Sequence, residues 1–98
     1  MDKDHWHQLG LSGQFGQIAS EINRARYWDG KSDNDQYQKS LARALDLLAL
    51  SIDCCASPGR KELTRFYEVL SSHYARTPYP ISLDILERFC LSHLKTVN

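Results

Sequence analysis

Apolar residues recur every three or four positions along most of the chain, which is the pattern of amphipathic helices. The first such segment runs from about Ser12 to Trp28. Ser12 is its candidate N-cap, and Gly30 stands where a left-handed residue could end it. The segment therefore predicts a helix with one buried face, which comprises Phe15, Ile18, Ala19, Ile22 and Ala25.

The second periodic segment spans about Asp35 to Cys55 and is apolar around most of its circumference. Ser32 and Asp35 have the spacing of a capping box, so we expect the helix to begin near them. Because its polar stripe is narrow, the helix is expected to have neighbours on more than one side. That stripe consists of Lys39, Arg43, Asp46 and Asp53.

Two proline-containing breaks separate two further helices. Ser57-Pro58-Gly59 predicts the start of a third helix that continues to about Tyr74, and Thr77-Pro78-Tyr79-Pro80 predicts a stiff elbow. Ser82 then caps a last helix that continues to about Leu94. With no linker, internal repeat or alternating β pattern, residues 1–98 are expected to form one all-α domain, an antiparallel helical bundle of about four short helices.

Charge and cysteine content narrow the class of protein. Twelve Lys and Arg residues balance twelve Asp and Glu residues, so the chain has no overall field that would attract nucleic acid or an anionic membrane. The adjacent Cys54 and Cys55 together with Cys90 form no C-x-x-C motif, and we expect small buried residues in a reducing compartment. No basic and apolar leader or membrane-length apolar run is present. We therefore expect a cytoplasmic protein without a membrane partner.

Few residues have the spacing that catalysis or metal binding requires. His5 and His7 could supply two imidazoles, but residues two positions apart point to different sides of a helix, and no third ligand is spaced nearby. We predict no metal site and no cofactor. Trp6 and Leu9 are instead expected to lie in a short turn that closes one end of the bundle. No motif specifies a reaction, which favours a noncatalytic protein while leaving enzymatic activity open.

The segment Arg88-Phe89-Cys90-Leu91-Ser92-His93 places an arginine and a histidine five positions apart. Together with the small helical pattern, it resembles the HEPN superfamily, whose RNA-cleaving members carry an arginine, four to six residues, and then a histidine. The resemblance implies that Arg88 holds the scissile phosphate. It also implies that His93 assists transfer of the ribose 2′-hydroxyl proton, usually in a paired site across a dimer. A HEPN-like ribonuclease or toxin component is therefore the alternative function.

This HEPN-like motif departs from the family pattern at one position. Phe89 follows the arginine where active members commonly carry a polar residue. HEPN-like bundles also include noncatalytic members that bind other proteins, so the fold alone does not imply the reaction. The segments Lys39–Leu48 and Arg60–Leu70 resemble small uncharacterised bacterial helical proteins, a likeness that implies an all-helical fold and no substrate.

The leading functional hypothesis comes from the second half of the second helix, which is apolar nearly all round. It favours a noncatalytic protein-interaction module that binds a protein partner or associates with itself as a homodimer. Leu47, Leu50 and Cys54 are the candidate contact residues, unless other helices of the same chain cover them.

RNA is a less favoured partner. Arg60, Lys61 and Arg65 form a local basic cluster that could meet phosphate groups. Because the acidic residues Glu62 and Glu68 interleave with these basic residues, the segment is more simply interpreted as a solvent-exposed helix face.

Overall fold

The computed structural model describes residues 3–54, 59–75 and 82–96, although not the side chains of Cys54, Arg60, residues 92–96 and a few others. These ranges contain no strand and form five helices, so the predicted all-α helical bundle is confirmed. The predicted breaks at residues 57–58 and 77–80 lie outside the described ranges. The helices are α1 (Lys3–Gln8), α2 (Gly10–Gly30), α3 (Asn34–Cys54), α4 (Gly59–Tyr74) and α5 (Leu83–Thr96).

Helices α2 and α3 form an antiparallel hairpin. Ser51, near the end of α3, donates to Gln14 near the start of α2, at 2.8 Å. Arg43, earlier in α3, binds Glu21, later in α2, at 2.6 Å. The contact order therefore reverses along the pair, as expected for helices joined by a short turn.

Helix α5 packs antiparallel to α2 along a different side. The rings of Phe15 and Phe89 meet edge-on with their centroids 6.2 Å apart. Toward the other end, Arg26 binds Glu87 at 2.6 Å and Asp84 at 3.4 Å. The hydrogen bond to Glu87 raises the pKa of the Arg26 guanidinium, which keeps this link charged.

Helix α4 is attached to α3 rather than to α2. The Tyr37 hydroxyl donates to the carbonyl of His73, and the Gln38 amide donates to the carbonyl of Tyr74, both at 3.2 Å. Helix α3 thus contacts α1, α2 and α4, which confirms that it has neighbours on several sides. One continuous core joins all five helices and includes Trp6, Phe15, Ile18, Ile22, Ala25, Tyr37, Leu41, Leu48, Leu63, Phe66, Val69, Leu70, Leu86 and Cys90.

The short helix α1 is held by a ring of buried hydrogen bonds. The indole nitrogen of Trp6 donates to Ser51 Oγ at 3.0 Å, and Ser51 Oγ donates to Gln14 Oε1 at 2.8 Å. The Gln14 amide closes the ring by donating to the Trp6 carbonyl at 3.1 Å. Trp6 is fully buried. The predicted closing turn is therefore a helix, and it is fastened to both α2 and α3.

The prediction for the end of α2 is wrong by two residues. Gly30 is the last helical residue, and Ser32 adopts the left-handed conformation with φ 58°. The Ser32 amide donates to the Asp29 carbonyl at 3.1 Å, and the Asp33 amide donates to the Trp28 carbonyl at 3.0 Å. This is the hydrogen-bond pattern of a Schellman motif. A serine in this conformation costs about 1–2 kcal/mol, which the two closing hydrogen bonds help to offset.

The start of α3 also differs from the capping box expected at Ser32. Asp33 accepts a hydrogen bond from the Gln36 amide at 3.1 Å through its side chain, and its own carbonyl accepts from Tyr37. Asp33 is thus the N-cap, because Ser32 is already used in reversing the chain.

The remaining helix starts show one correction and one confirmation. α2 begins at Gly10 rather than at Ser12, because Gly10 with φ 71° can make the sharp junction with α1 that other residues resist. Ser82 caps α5 as predicted, since its hydroxyl accepts from the Ile85 amide at 3.4 Å.

Candidate functional site

An open seam separates α4 from α5. The polar contacts described above fix α4 to α3 and fix α5 to α2, so these two helices are held by different neighbours. They converge at Phe66 and Phe89, whose ring centroids are 5.3 Å apart. Away from these rings, the two helices leave a hollow on the surface of the bundle.

This hollow, which we call the α4–α5 groove, has a volume of about 260 Å³. Its walls are almost wholly apolar, and Ile85 at its edge is 50% exposed. An isoleucine this exposed beside an apolar hollow is a feature of interaction surfaces. The groove is lined by Glu62, Arg65, Phe66, Val69, Ile85, Leu86 and Phe89.

The floor of the groove is firmly supported. Phe89 touches Phe66 on one side and Phe15 of α2 on the other. Phe66 is 5% exposed and Val69 is 2% exposed, so both belong to the core as well as to the groove. Because core side chains are closely packed, the groove is a preformed feature of the fold.

Cys90, next to Phe89 in sequence, lies in the core and is fully buried. Burial, with a smaller contribution from the charge of Glu87, raises the pKa of its thiol to about 12. The thiol is therefore neutral at physiological pH and packs as a small apolar group rather than as a nucleophile. The expectation of a buried cysteine is thus confirmed for Cys90, whereas Cys55 and the side chain of Cys54 lie outside the described part of the chain.

A second hollow of similar volume lies between α2 and α3, and its walls are part polar and part apolar. At its base is Glu21, whose side chain is only 7% exposed and binds Arg24 at 2.7 Å and Arg43 at 2.6 Å. Both guanidinium groups are thus tied to the same carboxylate. With Asp46 also in the wall, the charges of this hollow cancel. We interpret it as a structural ion cluster that joins the two helices.

The two residues of the HEPN-like motif both lie on α5. The Arg88 side chain is 76% exposed and binds Asp84 one turn earlier at 2.8 Å. Five residues of α-helix correspond to a rotation of about 140° beyond one full turn, so Arg88 and His93 start from different sides of the helix. The side chain of His93 lies outside the description, so the joint role that the HEPN resemblance implies for Arg88 and His93 stays an alternative prediction.

The candidate contact residues of α3 lie near its C-terminal half. Leu47 and Leu50 are half-buried and pack against the core of their own chain. Leu47 also lines the hollow between α2 and α3, beside Glu21. Cys54 is the last residue of α3, and its side chain is outside the description. The fold therefore covers part of the surface that Leu47 and Leu50 were expected to present.

The candidate basic residues lie in the first half of α4. Lys61 and Arg65 are exposed, and the side chain of Arg60 is outside the description. Arg65 lies on the rim of the α4–α5 groove, beside Glu62. Arg65 thus lies at the edge of an apolar surface, where its positive charge stands beside the negative charge of Glu62.

Two residues of the groove, Ile85 and Val69, were not predicted from the sequence. Ile85 lies one turn before Phe89, at the edge of the apolar face of α5, and it is large and exposed. A large apolar residue one turn from Phe89, at the margin of the buried stripe of its helix, is the signal that could have identified it.

Comparison with known proteins gives no match from which a function could be proposed, so the proposal is based on the geometry of the fold. No protein-family model matches this chain, and no curated protein and no solved structure matches it. In the part of the chain that the structure describes, no three metal-ligating side chains cluster together. None of the described helices combines the length and hydropathy needed to cross a bilayer.

Proposed function

We propose that this protein is a noncatalytic interaction module that binds a helix of a protein partner in the α4–α5 groove. The observation that supports the proposal is an open apolar hollow with a rigid aromatic floor and a half-exposed isoleucine at its edge. Grooves between two helices commonly receive the apolar face of an amphipathic helix.

The size of the groove favours a protein side chain over a small-molecule ligand. Pockets for cofactors and drug-sized ligands usually have volumes of about 300–1,000 Å³. The groove has about 260 Å³ and is open to solvent along its length. It therefore suits one or two apolar side chains that project from a partner helix.

The edge of the groove has the composition of an interface rim. Glu62 and Arg65 border an apolar centre formed by Phe66, Val69 and Leu86. Protein interfaces commonly combine an apolar centre with a polar rim, which orients the partner more than it adds to affinity. At this rim, Arg65 could orient a protein partner, a role that needs no nucleic-acid ligand.

A display library tests this proposal directly. Helical peptides with randomised apolar residues at positions i, i+3, i+4 and i+7 are selected on the wild-type protein and then assayed on two variants. Ile85→Glu should abolish binding, because a carboxylate would be placed against the apolar hollow. Tyr27→Glu, at another exposed apolar residue, on α2, should leave binding unchanged. Peptides that bind all three proteins equally, or failure to select any, would contradict the proposal.

The HEPN-like ribonuclease is the alternative proposal, motivated by the Arg88 and His93 motif and the helical bundle. It predicts that purified protein cleaves RNA and that Arg88→Ala and His93→Ala each abolish cleavage while the far-ultraviolet circular dichroism stays helical. Cleavage by both variants at the wild-type rate would contradict a catalytic role for Arg88 and His93.

A further inference from the structure

We infer that α1 is a latch that opens by joining α2 in one continuous helix, with Gly10 as the hinge. Leu9 alone separates the two helices. Its backbone angles, φ −65° and ψ −21°, are already those of a helix. Gly10 has φ 71°, and this left-handed conformation turns the chain between the helices. A change of conformation at this one residue therefore converts the bent arrangement into a straight helix over residues 3–30.

One side chain of α1 anchors it to the bundle. Trp6 is fully buried, and the other side chains described in α1 are exposed, namely Asp4, His5, His7 and Gln8. A helix of six residues is too short to be stable by itself. The docked position of α1 thus depends on the burial and hydrogen bonding of this one tryptophan.

Straightening adds backbone hydrogen bonds at the start of α2. In the docked form, the Trp6 carbonyl accepts from the Leu9 amide at 3.2 Å and from the Gln14 side chain at 3.1 Å. In a straight helix, the carbonyls of residues 6–8 accept from the amides of residues 10–12. Helix α2 gains from this, because Leu9 precedes it and has no side-chain group that could cap its first amides.

The slot that Trp6 occupies keeps a hydrogen bond of its own. Ser51 Oγ donates to Gln14 Oε1 at 2.8 Å, a bond in which Trp6 takes no part. Opening exposes the indole and breaks its 3.0 Å bond to Ser51, while it adds the backbone bonds of the straight helix. Because these contributions oppose each other, we expect a minor open population beside the docked form. The open form uncovers a slot in which Ser51 Oγ is an acceptor for an indole N–H.

Hydrogen exchange of the full chain, followed by nuclear magnetic resonance, tests the latch. The protection factor of the Trp6 indole N–H is compared with those of the Ile22 and Leu48 amides, which lie in the core of α2 and α3. We expect the indole to be less protected, at a level that low urea concentrations hardly change, because opening α1 exposes little surface. An indole that exchanges only as the whole bundle unfolds would overturn the latch.

Gly10→Ala shifts the balance toward the open form. A Cβ at this position meets no atom within 4 Å, so the substitution changes the backbone preference rather than the packing. Alanine resists the left-handed conformation and favours the straight helix. The protection of the Trp6 indole should therefore fall about 30- to 150-fold, and that of the core amides by a smaller factor.

Gly16→Ala is the matched control, because Gly16 is equally unobstructed but lies inside α2 in both forms. It should raise the protection of the core amides by up to about fivefold and leave that of the Trp6 indole unchanged. Equal changes at the indole and at the core amides in either variant would show that α1 leaves only when the bundle unfolds, and would overturn the latch. The α4–α5 groove is formed by other helices, so the proposed function does not depend on this result.

Discussion

Replacing Ser51 with alanine removes the centre of the hydrogen-bond ring that fastens α1. Ser51 Oγ accepts from the Trp6 indole at 3.0 Å and donates to Gln14 at 2.8 Å, and its residue is 2% exposed. The substitution leaves a buried indole N–H and a buried amide oxygen without this partner. Each such loss costs about 1–3 kcal/mol.

The helix preference of alanine returns part of this free energy. Alanine is favoured over serine in a helix interior by up to about 0.7 kcal/mol. The expected net decrease in the free energy of unfolding is about 1–5 kcal/mol, a large fraction of the roughly 5–15 kcal/mol of a small domain. Urea unfolding followed by far-ultraviolet circular dichroism measures it.

Ser40→Ala is the matched control, because Ser40 is also a fully buried serine of α3. Its hydroxyl accepts one long hydrogen bond, at 3.4 Å, from Arg43, which is itself held by Glu21. Its loss should cost less than about 1 kcal/mol. If Ser51→Ala is no more destabilising than Ser40→Ala, the hydrogen-bond ring does not hold α1 in place.

A double-mutant cycle isolates the bond between the indole and Ser51. Trp6→Phe removes the donor while it retains an aromatic ring, so Ser51→Ala should cost about 1 kcal/mol less in that background than in the wild type. Additive effects of the two substitutions would contradict a direct bond between these side chains.

Three further predictions concern stability. Ser32→Gly should raise the free energy of unfolding by about 0.5–1 kcal/mol in urea titrations, because glycine tolerates the left-handed conformation, whereas Ser32→Ala should give no such gain. Since burial raises the pKa of the Cys90 thiol from 9.0 to about 12, its contribution to stability is present below pH 9 and is lost as the pH rises toward 12. Urea midpoints on either side of pH 9 should fall more steeply for wild type than for Cys90→Ala, and equal slopes would contradict this. Arg26→Ala, which loses two carboxylate partners on α5, should be more destabilising than Arg88→Ala, whose pair lies within one helix and contributes about 0.3–0.5 kcal/mol; equal midpoints would refute it.

Local pattern was sufficient to predict most of the helices. The three- and four-residue spacing of Phe15, Ile18 and Ile22 predicted the buried face of α2, and all three are buried. Ser82 was correctly identified as the cap of α5 because capping depends on residues within one turn. The prediction of a left-handed residue at Gly30 failed at the same scale, because glycine preference alone could not show that Ser32 would reverse the chain.

Only the tertiary structure decided which helix covers the apolar face of each other helix. Trp6 is buried because Ser51, 45 positions away in the sequence, supplies a partner for its indole. The α4–α5 groove exists because Arg26 holds α5 on α2 while Tyr37 holds α4 on α3. An amphipathic pattern specifies which side of a helix is buried, but it does not specify the neighbour that covers it. That choice depends on long-range contacts, and it determines which apolar surface is left open for a partner.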